Sequence, residues 1–590
     1  MILVFGGTTE GRKAVATLEQ AGNTFYYSTK TGEQDITLHH GIKVDGAMDS
    51  QKMMRFCKQQ GIRLIVDAAH PFAQELHRTV EEVSKLTDTP VVRFERIFPP
   101  RHPKAVWIAS YDELPHIKGT LLATTGVQSI AHLKKFESPS LNIIYRILNR
   151  ESSIRLAHRQ GADEQHLCFY NEEEDEKETL RRIQPDAILM KESGLSGGYM
   201  RKLEAATELG IKPIILKRPE TPPSFHCVNG EHGLRRMVER LLPEFFPLHS
   251  GLTTGTCATA AAVAQAMRML EGKEPESVPV MLPDGETIMV DVKYADTYAY
   301  VKKESGDDPD VTNGIEVRAS IEPSEKFEIC GGTGVGTITL PGFDAPPGSP
   351  AINRGPRMML EQNLKRFSTP MRVTISVPEG EEIAKRTFNP RLGITGGISI
   401  IGVSGIIQPY SEEAFVESIR KCMVVAQQSG TERVVINSGA KSENYLRKSY
   451  PQLPRQAFVE YGNYIGETIK IAGELGIKKL TLGIMMGKAV KLAAGNLDTH
   501  SRKTTFDIQF ILSMLEEAGC GGEIMEQARH ITLARELWDI IPNPILQSFC
   551  EVVIRHCMEH CAPLMPQGEI TILMIDDKGN IYSKESSFVC

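Results

Sequence analysis

The sequence predicts an α/β region with parallel sheets over residues 1–245 and an α+β region over residues 246–590. In the first region, apolar runs of strand length end in glycine or polar residues, and stretches of helix length separate these runs. Near residue 245 the sequence pattern changes. Several prolines occur within residues 218–251, and the strand-like segments that follow are joined by glycine-rich loops. A chain of 590 residues has room for several domains, at roughly 150 residues for each.

Composition narrows the class of protein. The chain is 41% hydrophobic and 24% charged, with a formal net charge of −7, and it has no long run of lysine or arginine, so we expect no nucleic-acid partner and no membrane surface. Its 11 cysteines form no repeated C-x-x-C framework, which favours a reducing compartment. Neither a signal peptide nor a long apolar span is visible. We therefore expect a cytoplasmic protein.

The first predicted element is a strand, a glycine loop and a helix. Residues 1–20 read MILVFGGTTEGRKAVATLEQ, an apolar run followed by a Gly-Gly turn and helical spacing. A helix that begins after a buried parallel strand presents backbone N–H groups and the positive end of its dipole, which suit a phosphate. Because the loop does not follow G-x-G-x-x-G, a plain tight turn is the alternative. The candidate cofactor-binding residues are Gly6, Gly7, Thr8, Thr9, Gly11 and Arg12.

Six further apolar runs repeat this pattern, so we expect a Rossmann-like arrangement of parallel sheets in two subdomains. Ligands of such sheets bind beyond the carboxyl ends of the strands, which makes the residues at those ends candidates. The runs lie within 62–72, 89–97, 119–130, 141–148, 185–198 and 211–219, and the candidates are His70, Arg93, Arg96, Thr125, Gly126, Arg146, Lys191, Ser193 and Gly194.

Several of these segments occur in the order seen in one enzyme family. ILVFGGTTEGR, VDAAHPFA, VVRFERIFPP, LLATTG and KESGLSGGYMRKLEAATELGIKPIILKRP resemble precorrin-6A reductases of corrin-ring biosynthesis, over about residues 1–245. The resemblance implies NADPH-dependent reduction of one ring double bond of a tetrapyrrole precursor of cobalamin. Arginines would pair with the carboxylates of that substrate. The substrate-binding candidates in this region are His70, Arg93, Arg96 and Arg146.

The second region contains two loops that are rich in glycine. HSGLTTGTCATAAAVAQAMRML, residues 249–270, is a Gly/Thr-rich loop before an alanine-rich helix, and its hydroxyls can cap the helix or bind a ligand. GGTGVGTITLPG, residues 331–342, can cradle a phosphate or form a structural hairpin, and no Walker lysine follows it. The candidate cofactor-binding residues of this region are Thr254, Gly255, Thr256, Gly332, Gly334 and Gly336.

Two clusters suggest metal ligands without completing a site. Asp307, Asp308 and Asp310 can chelate a hard cation, but an Asx-rich turn is the favoured interpretation. Cys557 and Cys561 share a helix face, yet no further pair completes four ligands, so coincidence on one face is the simpler account. We predict no metal site.

Residues 386–406 and 487–507 gather polar and basic side chains that suit acid/base or carboxylate-binding roles. A histidine is more often structural than catalytic, but His500 stands beside Asp498 and close to basic residues, so it is the candidate base for catalysis. The candidate substrate-binding residues are Asn389, Arg391, Lys488 and Arg502.

Taken in order, GLTTGTCATAAA, DDPDVTNG, GGTGVGTITLPG, PAINRGPRMM, VTISVPEGEEIAKRTFNPRLGITGGISIIG, YGNYIGE and GKAVKLAAGNLDTHSR resemble the cobalt-precorrin-5B C-1-methyltransferase family, over about residues 249–565. The resemblance implies methyl transfer from S-adenosylmethionine to a ring carbon, in a fold that is not the usual Rossmann methyltransferase domain. The protein would align the reacting groups, exclude water and accept a proton. A small-molecule kinase that uses GGTGVG, and a non-catalytic corrinoid-binding protein, are the alternatives.

The two resemblances predict two modules, residues 1–245 and 246–590, that catalyse consecutive steps in reverse chain order. C-1 methylation yields cobalt-precorrin-6A, and the amino-terminal module then reduces that product. A short linker near residues 243–249 raises the effective concentration of a released intermediate to the order of millimolar.

Overall fold

Two units make up the chain in the structure, which is a computed structural model. Unit 1 comprises Met1–Ser250 and Pro279–Met289, and unit 2 comprises Gly251–Val278 and Val290–Cys590. Among the residues that the structure describes, no helix is long and apolar enough to cross a membrane. The described residues are 1–30, 36–171, 173–195, 198–500 and 504–583.

Unit 1 alternates strands and helices, as its sequence predicts. The strands are β1 (Ile2–Phe5), β2 (Phe25–Thr29), β3 (Gly41–Asp45), β4 (Leu64–Asp67), β5 (Val91–Glu95), β6 (Val106–Ile108), β7 (Gly119–Ala123), β8 (Leu141–Leu148), β9 (Leu167–Tyr170), β10 (Ala187–Lys191), β11 (Lys212–Leu216) and β12 (His226–Asn229). The helices are α1 (Thr9–Glu19), α2 (Ser50–Gln60), α3 (Gln74–Thr87), α4 (Ile130–Leu133), α5 (Glu151–Arg159), α6 (Glu176–Ile183), α7 (Tyr199–Glu208) and α8 (Gly230–Leu241).

These strands form two parallel sheets, which confirms the predicted Rossmann-like fold with two subdomains. The first sheet has the order β12-β5-β4-β1-β2-β3, and the second has the order β6-β11-β10-β7-β8-β9. The chain completes five strands of the first sheet, builds the second, and then returns to add β12 beside β5. Central strands such as β1 and β4 are buried along their whole length, as expected where helices cover both faces of a parallel sheet.

Each sheet of unit 1 has a switch point in its strand order. β1 lies between β4 and β2, and β7 lies between β10 and β8. Connections from such a strand leave to opposite sides, and the crevice that opens between the loops is the usual ligand site of this architecture. The loops after β1 and β4, and those after β7 and β10, are therefore the places to look for function.

The remaining elements range from two-residue strands to a 19-residue helix. The strands are β13 (Gly251–Leu252), β14 (Ser277–Met281), β15 (Thr287–Asp291), β16 (Lys293–Tyr294), β17 (Ala299–Lys302), β18 (Glu316–Pro323), β19 (Glu328–Gly331), β20 (Thr337–Ile338), β21 (Met371–Ser376), β22 (Ile394–Thr395), β23 (Ile406–Ile407), β24 (Arg433–Asn437), β25 (Phe458–Glu460), β26 (Lys479–Met485), β27 (Glu569–Ile575) and β28 (Ile581–Tyr582). The helices are α9 (Thr254–Glu271), α10 (Arg354–Leu364), α11 (Gly380–Ala384), α12 (Glu412–Gln428), α13 (Ala440–Ser449), α14 (Ile465–Glu474), α15 (Met486–Ala493), α16 (Ile508–Glu517), α17 (Gly522–Arg529), α18 (Leu537–Ile540) and α19 (Asn543–Cys561).

Unit 2 begins with a mixed sheet on which one buried helix packs. This arrangement confirms the α+β prediction. The sheet order is β16-β17-β18-β21-β19, with β19 parallel to β21 and the other pairs antiparallel. Helix α9 packs on β17, β18 and α10, and its residues from Thr254 to Ala266 are all buried. Alanine is frequent there because small side chains allow a helix to be surrounded on every side.

The later part of unit 2 is a second α/β layer. Its sheet has the order β25-β24-β26-β27-β28, in which the first four strands are parallel and β28 is antiparallel to β27. In chain order the parallel strands are thus arranged second, first, third, fourth. This is a doubly wound sheet with its switch point between β24 and β26.

The turn of the β14–β15 hairpin belongs to unit 1. The carboxylate of Glu286 accepts hydrogen bonds from the backbone N–H groups of Glu231, at 2.7 Å, and His232, at 2.9 Å, and Asn229 Oδ1 accepts one from the N–H of Thr287 at 2.7 Å. Helix termini leave their first N–H groups without partners, and an acidic group there is stabilised by the helix dipole. The hairpin therefore caps α8, and unit 1 is not a single continuous stretch of chain.

Candidate active sites

The glycine loop after β1 is shaped by close packing. Thr8 caps α1, since its Oγ1 accepts from the N–H of Gly11 at 3.0 Å and donates to Ala68 O at 2.7 Å. A Cβ on Gly6 would lie 2.1 Å from Tyr27 Oη, and one on Gly11 would lie 2.8 Å from Gly6 Cα. These glycines let the helix approach the strand, which is one of the established uses of glycine in dinucleotide-binding loops.

One side of this loop is open. Gly7 has a φ of +89°, and a Cβ built there meets nothing within 4 Å, although its N–H donates to Tyr27 Oη at 3.0 Å. Thr9 is partly exposed and Arg12 is exposed. The loop thus has room for a phosphate to approach its backbone, and the role of Gly6 to Arg12 in cofactor binding stays a prediction.

Two of the arginines predicted to bind substrate pair instead with carboxylates of the protein. Arg93 is 2% exposed and donates to Asp67 Oδ1 at 2.9 Å and to Glu95 Oε1 at 3.3 Å. Arg146 binds both carboxylate oxygens of Glu176, at 2.7 and 3.0 Å. Removing a partner from a buried ion pair costs about 3–5 kcal/mol, so these guanidinium groups are not available to a substrate. Their expected role is corrected to one of internal support.

Arg96 joins the two subdomains. Its Nε donates to Glu10 Oε2 at 2.8 Å and its Nη1 donates to Ser193 O at 2.8 Å. A Cβ on Gly194, where φ is +76°, would lie 2.9 Å from Arg96 Cβ. Arg96 therefore holds the start of α1 against the loop after β10, which corrects its expected contact with substrate, and Gly194 is required by that contact.

A cavity of about 210 Å³ lies where the loops after β4, β7 and β10 meet. Five of its residues are among the sequence candidates, and Tyr199 and Lys202 are not. Tyr199 and Lys202 lie in the first turn of α7. A polar residue at such a position is usually only solvated, so the sequence carried no signal for these two residues. The lining comprises His70, Thr124, Thr125, Gly126, Met190, Lys191, Ser193, Tyr199 and Lys202.

The ionisable groups of this cavity are strongly shifted. Burial, followed by the charges of Arg96 and Lys191, lowers the pKa of His70 to about 3, so its imidazole is neutral. The Nδ1 atom accepts from the N–H of Phe72 at 3.2 Å, which places the ring hydrogen on Nε2. Burial lowers the pKa of Lys191, and burial with the charge of Arg146 lowers the pKa of Lys202 to about 8. Both lysines would gain from a bound anion.

Tyr199 offers an unused hydroxyl. Its Oη is buried and has no hydrogen-bond partner in the part of the chain that the structure describes, while the residue is 2% exposed. Burial raises the pKa of Tyr199 to about 12, so the group keeps its proton near neutral pH. An unsatisfied buried hydroxyl costs about 1–3 kcal/mol.

In unit 2, the start of α9 is covered by its own chain. The N–H of Gly255 donates to Ile401 O at 2.9 Å, Thr254 Oγ1 accepts from the N–H of Ile401 at 2.8 Å, and Thr256 Oγ1 donates to Gly405 O at 2.6 Å. These groups are committed within the protein. The expected cofactor-binding role of Thr254, Gly255 and Thr256 is therefore corrected to packing of the first turn of α9, which Thr253 caps.

The glycines of the GGTGVG loop are packed against neighbouring backbone and side-chain atoms. A Cβ on Gly334 would lie 1.7 Å from Val377 O, one on Gly336 would lie 2.4 Å from Ile394 Cγ2, and one on Gly332 would lie 2.2 Å from Ser376 Oγ. A side chain at any of these positions would clash with the neighbouring chain. Close packing of loop against strand therefore accounts for the three glycines, and their role in cofactor binding stays a prediction.

Two other polar candidates of unit 2 stabilise the fold. Asn389 is buried, and its Oδ1 accepts from Ser399 Oγ at 3.1 Å, which corrects its expected contact with substrate. Asp310 Oδ1 accepts from the N–H of Thr312 at 2.8 Å, and its Oδ2 accepts from buried Lys303 at 2.7 Å. The aspartate cluster thus contains the Asx turn that the sequence favours.

The two cysteines on α19 are also internal. Cys557 and Cys561 are both buried, and burial raises the pKa of the Cys561 thiol to about 12. The two cysteines thus lie on one buried face of α19, as their spacing predicts.

The carboxyl ends of β24, β25 and β26 bring together other candidates. Arg391 Nη2 lies 2.9 Å from Glu443 Oε2, and its Nη1 lies 3.9 Å from Glu460 Oε2. Lys488 follows β26 and donates to Gly462 O, and burial lowers its pKa to about 8. This edge lies at the switch point of the second α/β layer.

The segment with His500 runs beside the same edge. The N–H of Thr499 donates to Asn463 O at 3.0 Å, and the N–H of His500 donates to Asp498 Oδ1 at 3.1 Å. His500 thus lies near the loop after β25, and its role as a base stays a prediction. Arg502, the other basic candidate of this segment, lies outside the described residues.

Comparison with known proteins decides the families. Residues 243–409 match the CbiD family and residues 498–586 match the CbiD C-terminal domain. The chain is 41% identical over 345 residues to a cobalt-precorrin-5B C(1)-methyltransferase of Prosthecochloris aestuarii, covering 56% of this chain and 94% of that protein. The chain belongs to this methyltransferase family. A relative of the same name from Thermus thermophilus is 36% identical over 315 residues, which cover 52% of this chain and 86% of that protein.

The other module of this methyltransferase fusion is a reductase. Residues 1–235 match the precorrin-6x reductase family CbiJ/CobK. The chain is therefore a bifunctional enzyme of cobalamin biosynthesis, with NADPH as cofactor for reduction and S-adenosylmethionine as methyl donor. The kinase and the non-catalytic binding protein are not supported.

Two solved structures resemble the modules. A cobalamin biosynthesis protein (cbiD) from Archaeoglobus fulgidus matches with a TM-score of 0.26 and 32% identity, covering 43% of this chain and 83% of that one. CobK precorrin-6A reductase matches with a TM-score of 0.34 and 19% identity, covering 41% of this chain and 97% of that one.

Proposed function

We propose that the two activities are consecutive. Unit 2 methylates C-1 of cobalt-precorrin-5B, and unit 1 reduces the resulting cobalt-precorrin-6A to cobalt-precorrin-6B, in the cytoplasm. The order of reaction is then opposite to the order of the modules in the chain. The substrate is a small molecule with many carboxylates, and the proposal involves no nucleic acid and no membrane.

The cavity of unit 1 is the observation that supports the site of reduction. Its two lysines, Lys191 and Lys202, are positive groups at a place where burial makes an unpaired charge costly, so they suit the carboxylates of the substrate. At about 210 Å³ the cavity is smaller than the 300–1,000 Å³ usual for drug-sized ligands. It would take the reacting edge of the macrocycle and leave the rest outside.

A second groove in unit 1 is larger but has the wrong charge. It measures about 400 Å³, and most of its lining side chains are acidic. A substrate with many carboxylates would be repelled there. The lining comprises Tyr170, Glu173, Glu174, Asp175, Glu176, Lys177, Arg201, Glu204, Ala205 and Glu208.

Reduction of a ring double bond adds a hydride to one atom and a proton to its neighbour. NADPH supplies the hydride when it is bound. The cavity fits such a ligand because Gly126, with a φ of +87°, leaves open space on one side and the Tyr199 hydroxyl lacks a partner. We place the proton at Tyr199 Oη, a neutral donor whose position is fixed by burial.

The test uses the intact chain and the absorbance of the macrocycle. We expect cobalt-precorrin-5B to change its spectrum with S-adenosylmethionine alone, and to change again only after NADPH is added. Addition in the opposite order should show no oxidation of NADPH until the methyl donor is present. Oxidation of NADPH with cobalt-precorrin-5B before methylation would contradict the proposed order.

A further inference from the structure

The second α/β layer of unit 2 has the topology of a nucleotide-binding sheet. Its strands are arranged second, first, third, fourth, from β25 through β24 and β26 to β27. In such sheets, ligands bind beyond the carboxyl ends of the strands at the switch point, which here lies between β24 and β26. The sequence offered six other residues of unit 2 for the cofactor, three in the GGTGVG loop and three at the start of α9. These six lie away from this switch point and pack against other parts of unit 2.

We infer that the adenosine part of S-adenosylmethionine binds at this edge, next to Gly439. The carboxylate of Glu460 then accepts hydrogen bonds from the ribose hydroxyls. The inference rests on the methyltransferase activity of unit 2. It places the cofactor on residues that the sequence did not single out.

Gly439 provides the close approach to the backbone. It follows β24 and precedes α13, and its φ of +144° is one that other residues rarely adopt. A Cβ built there meets only Glu460 Oε1, at 3.5 Å. A ligand can therefore reach the backbone at this turn, next to a carboxylate oxygen.

Glu460 is placed as the ribose-binding acid of a nucleotide fold. It ends the second strand of the layer, and such an acid lies about 20 residues after the glycine turn in dinucleotide-binding sheets. Arg391 Nη1 lies 3.9 Å from Glu460 Oε2, which is beyond hydrogen-bond length. The side chain of Glu460 is 26% exposed, so a ligand that enters from solvent can reach the carboxylate.

One buried nitrogen beside Glu460 also lacks a hydrogen bond. Arg391 Nη1 has no such partner among the residues that the structure describes, whereas Arg391 Nη2 is paired with Glu443 Oε2 at 2.9 Å. Buried polar groups are rarely left unsatisfied, and each exception calls for an explanation such as a missing ligand. This observation is independent of the strand topology and points to the same edge.

The charge of the edge favours a cationic cofactor. Glu443, Glu460 and Asp498 are acidic, while Arg391 and Lys488 are basic, and Lys488 loses part of its charge through burial. The sum is negative or close to zero. A sulfonium ion with an adenosine group fits this balance, whereas a di- or triphosphate would require an excess of basic groups.

The test is binding of S-adenosylhomocysteine to the full chain, measured by calorimetry. We expect Glu460→Gln, which keeps the size of the side chain, to weaken binding at least tenfold and to raise KM for S-adenosylmethionine more than it lowers kcat. NADPH affinity and the thermal midpoint should not change. The matched control is Glu413→Gln on α12, an exposed glutamate, which should bind as the wild type does.

Unchanged affinity in a folded Glu460→Gln protein would overturn the inference and leave the methyltransferase activity standing. If the wild-type chain itself neither binds S-adenosylhomocysteine nor methylates cobalt-precorrin-5B while it still oxidises NADPH with cobalt-precorrin-6A, the activity of unit 2 fails instead. As a second probe, Gly439→Val should block binding. A folded Gly439→Val protein with unchanged binding would also overturn the inference.

Discussion

The cavity of unit 1 and the β24–β26 edge of unit 2 occupy the same topological position but differ in the charge of their side chains. Both lie beyond the carboxyl ends of parallel strands at a switch point. The first is lined by Lys191, Lys202 and a neutral His70, and the second by Glu443 and Glu460 around Arg391. The fold thus determines where a ligand binds, while the few side chains at the strand ends determine its charge.

The largest effect is expected at the Tyr199 hydroxyl. Tyr199→Phe removes the proposed proton donor, and general acid catalysis contributes about 100-fold or more, so kcat for reduction should fall by that order. Stability should not fall, since the hydroxyl has no hydrogen-bond partner among the described residues. Single-turnover oxidation of NADPH measures the chemical step. A Tyr199→Phe enzyme with wild-type kcat would remove Tyr199 from the mechanism, and methylation by the same protein is the internal control.

A smaller loss is expected when the cationic character of the cavity is reduced. Lys202→Met should lower kcat/KM for reduction about 30-fold, through the loss of one buried charge pair with substrate, and should leave methylation unchanged. Lys58→Met, at an exposed lysine of α2, is the matched control. Equal effects of the two substitutions would contradict a role for Lys202 in binding the substrate.

The pH profile sharpens the same prediction. Burial lowers the pKa of Lys202 to about 8, so the free enzyme loses this positive charge as the pH rises through that value. We expect kcat/KM for reduction to fall about tenfold between pH 7 and pH 9. The decrease should be absent in Lys202→Met, and His70, with a pKa of about 3, should add no step near neutral pH.

A substitution in the glycine loop after β1 should weaken NADPH binding about tenfold. Gly7→Val places a branched side chain at a φ of +89°, on the open side of the loop, where it would obstruct the approach of a phosphate. We expect NADPH binding to weaken while S-adenosylmethionine binding stays as it was. Fluorescence titration with NADPH measures the change, and wild-type affinity in a folded Gly7→Val protein would exclude the loop as the phosphate site.

The smallest effect concerns the covalent link between the activities. We compare the intact enzyme with an equimolar mixture of two full-length variants, Tyr199→Phe and Glu460→Gln, each impaired in one activity. An effective concentration near millimolar predicts a few-fold greater accumulation of free methylated intermediate in the dilute mixture. Equal accumulation would show that proximity has no kinetic role.

The sequence predicted most of unit 1 because central parallel strands are continuous apolar runs that periodicity detects. Strand ends then identified His70 and Lys191 correctly as residues of one edge. The arginines were predicted wrongly, because a strand-end arginine can turn inward to a carboxylate that is remote in sequence, as Arg146 does towards Glu176. Lys202 was missed because it lies one turn into a helix.

Unit 2 was harder to predict for two physical reasons. A glycine signals a close approach but not its partner, and at Gly334 the partner is Val377 O rather than a phosphate. The strand that ends at Glu460 has only three residues, too few for a period to be recognised. Arg391 and Lys488 were identified from local polarity, but only the fold shows that they share an edge with Glu460.

The capping of α8 by Glu286 has a consequence for how the protein can be divided. Residues 279–289 belong to unit 1 but are encoded after the start of unit 2. A gene split at the linker near residues 243–249 would therefore give an amino-terminal polypeptide without the carboxylate that caps its last helix, at a cost of about 0.5–2 kcal/mol if capping of this kind is lost. A stand-alone reductase made by such a split would therefore be less stable than unit 1 of the intact chain unless another group replaced the cap.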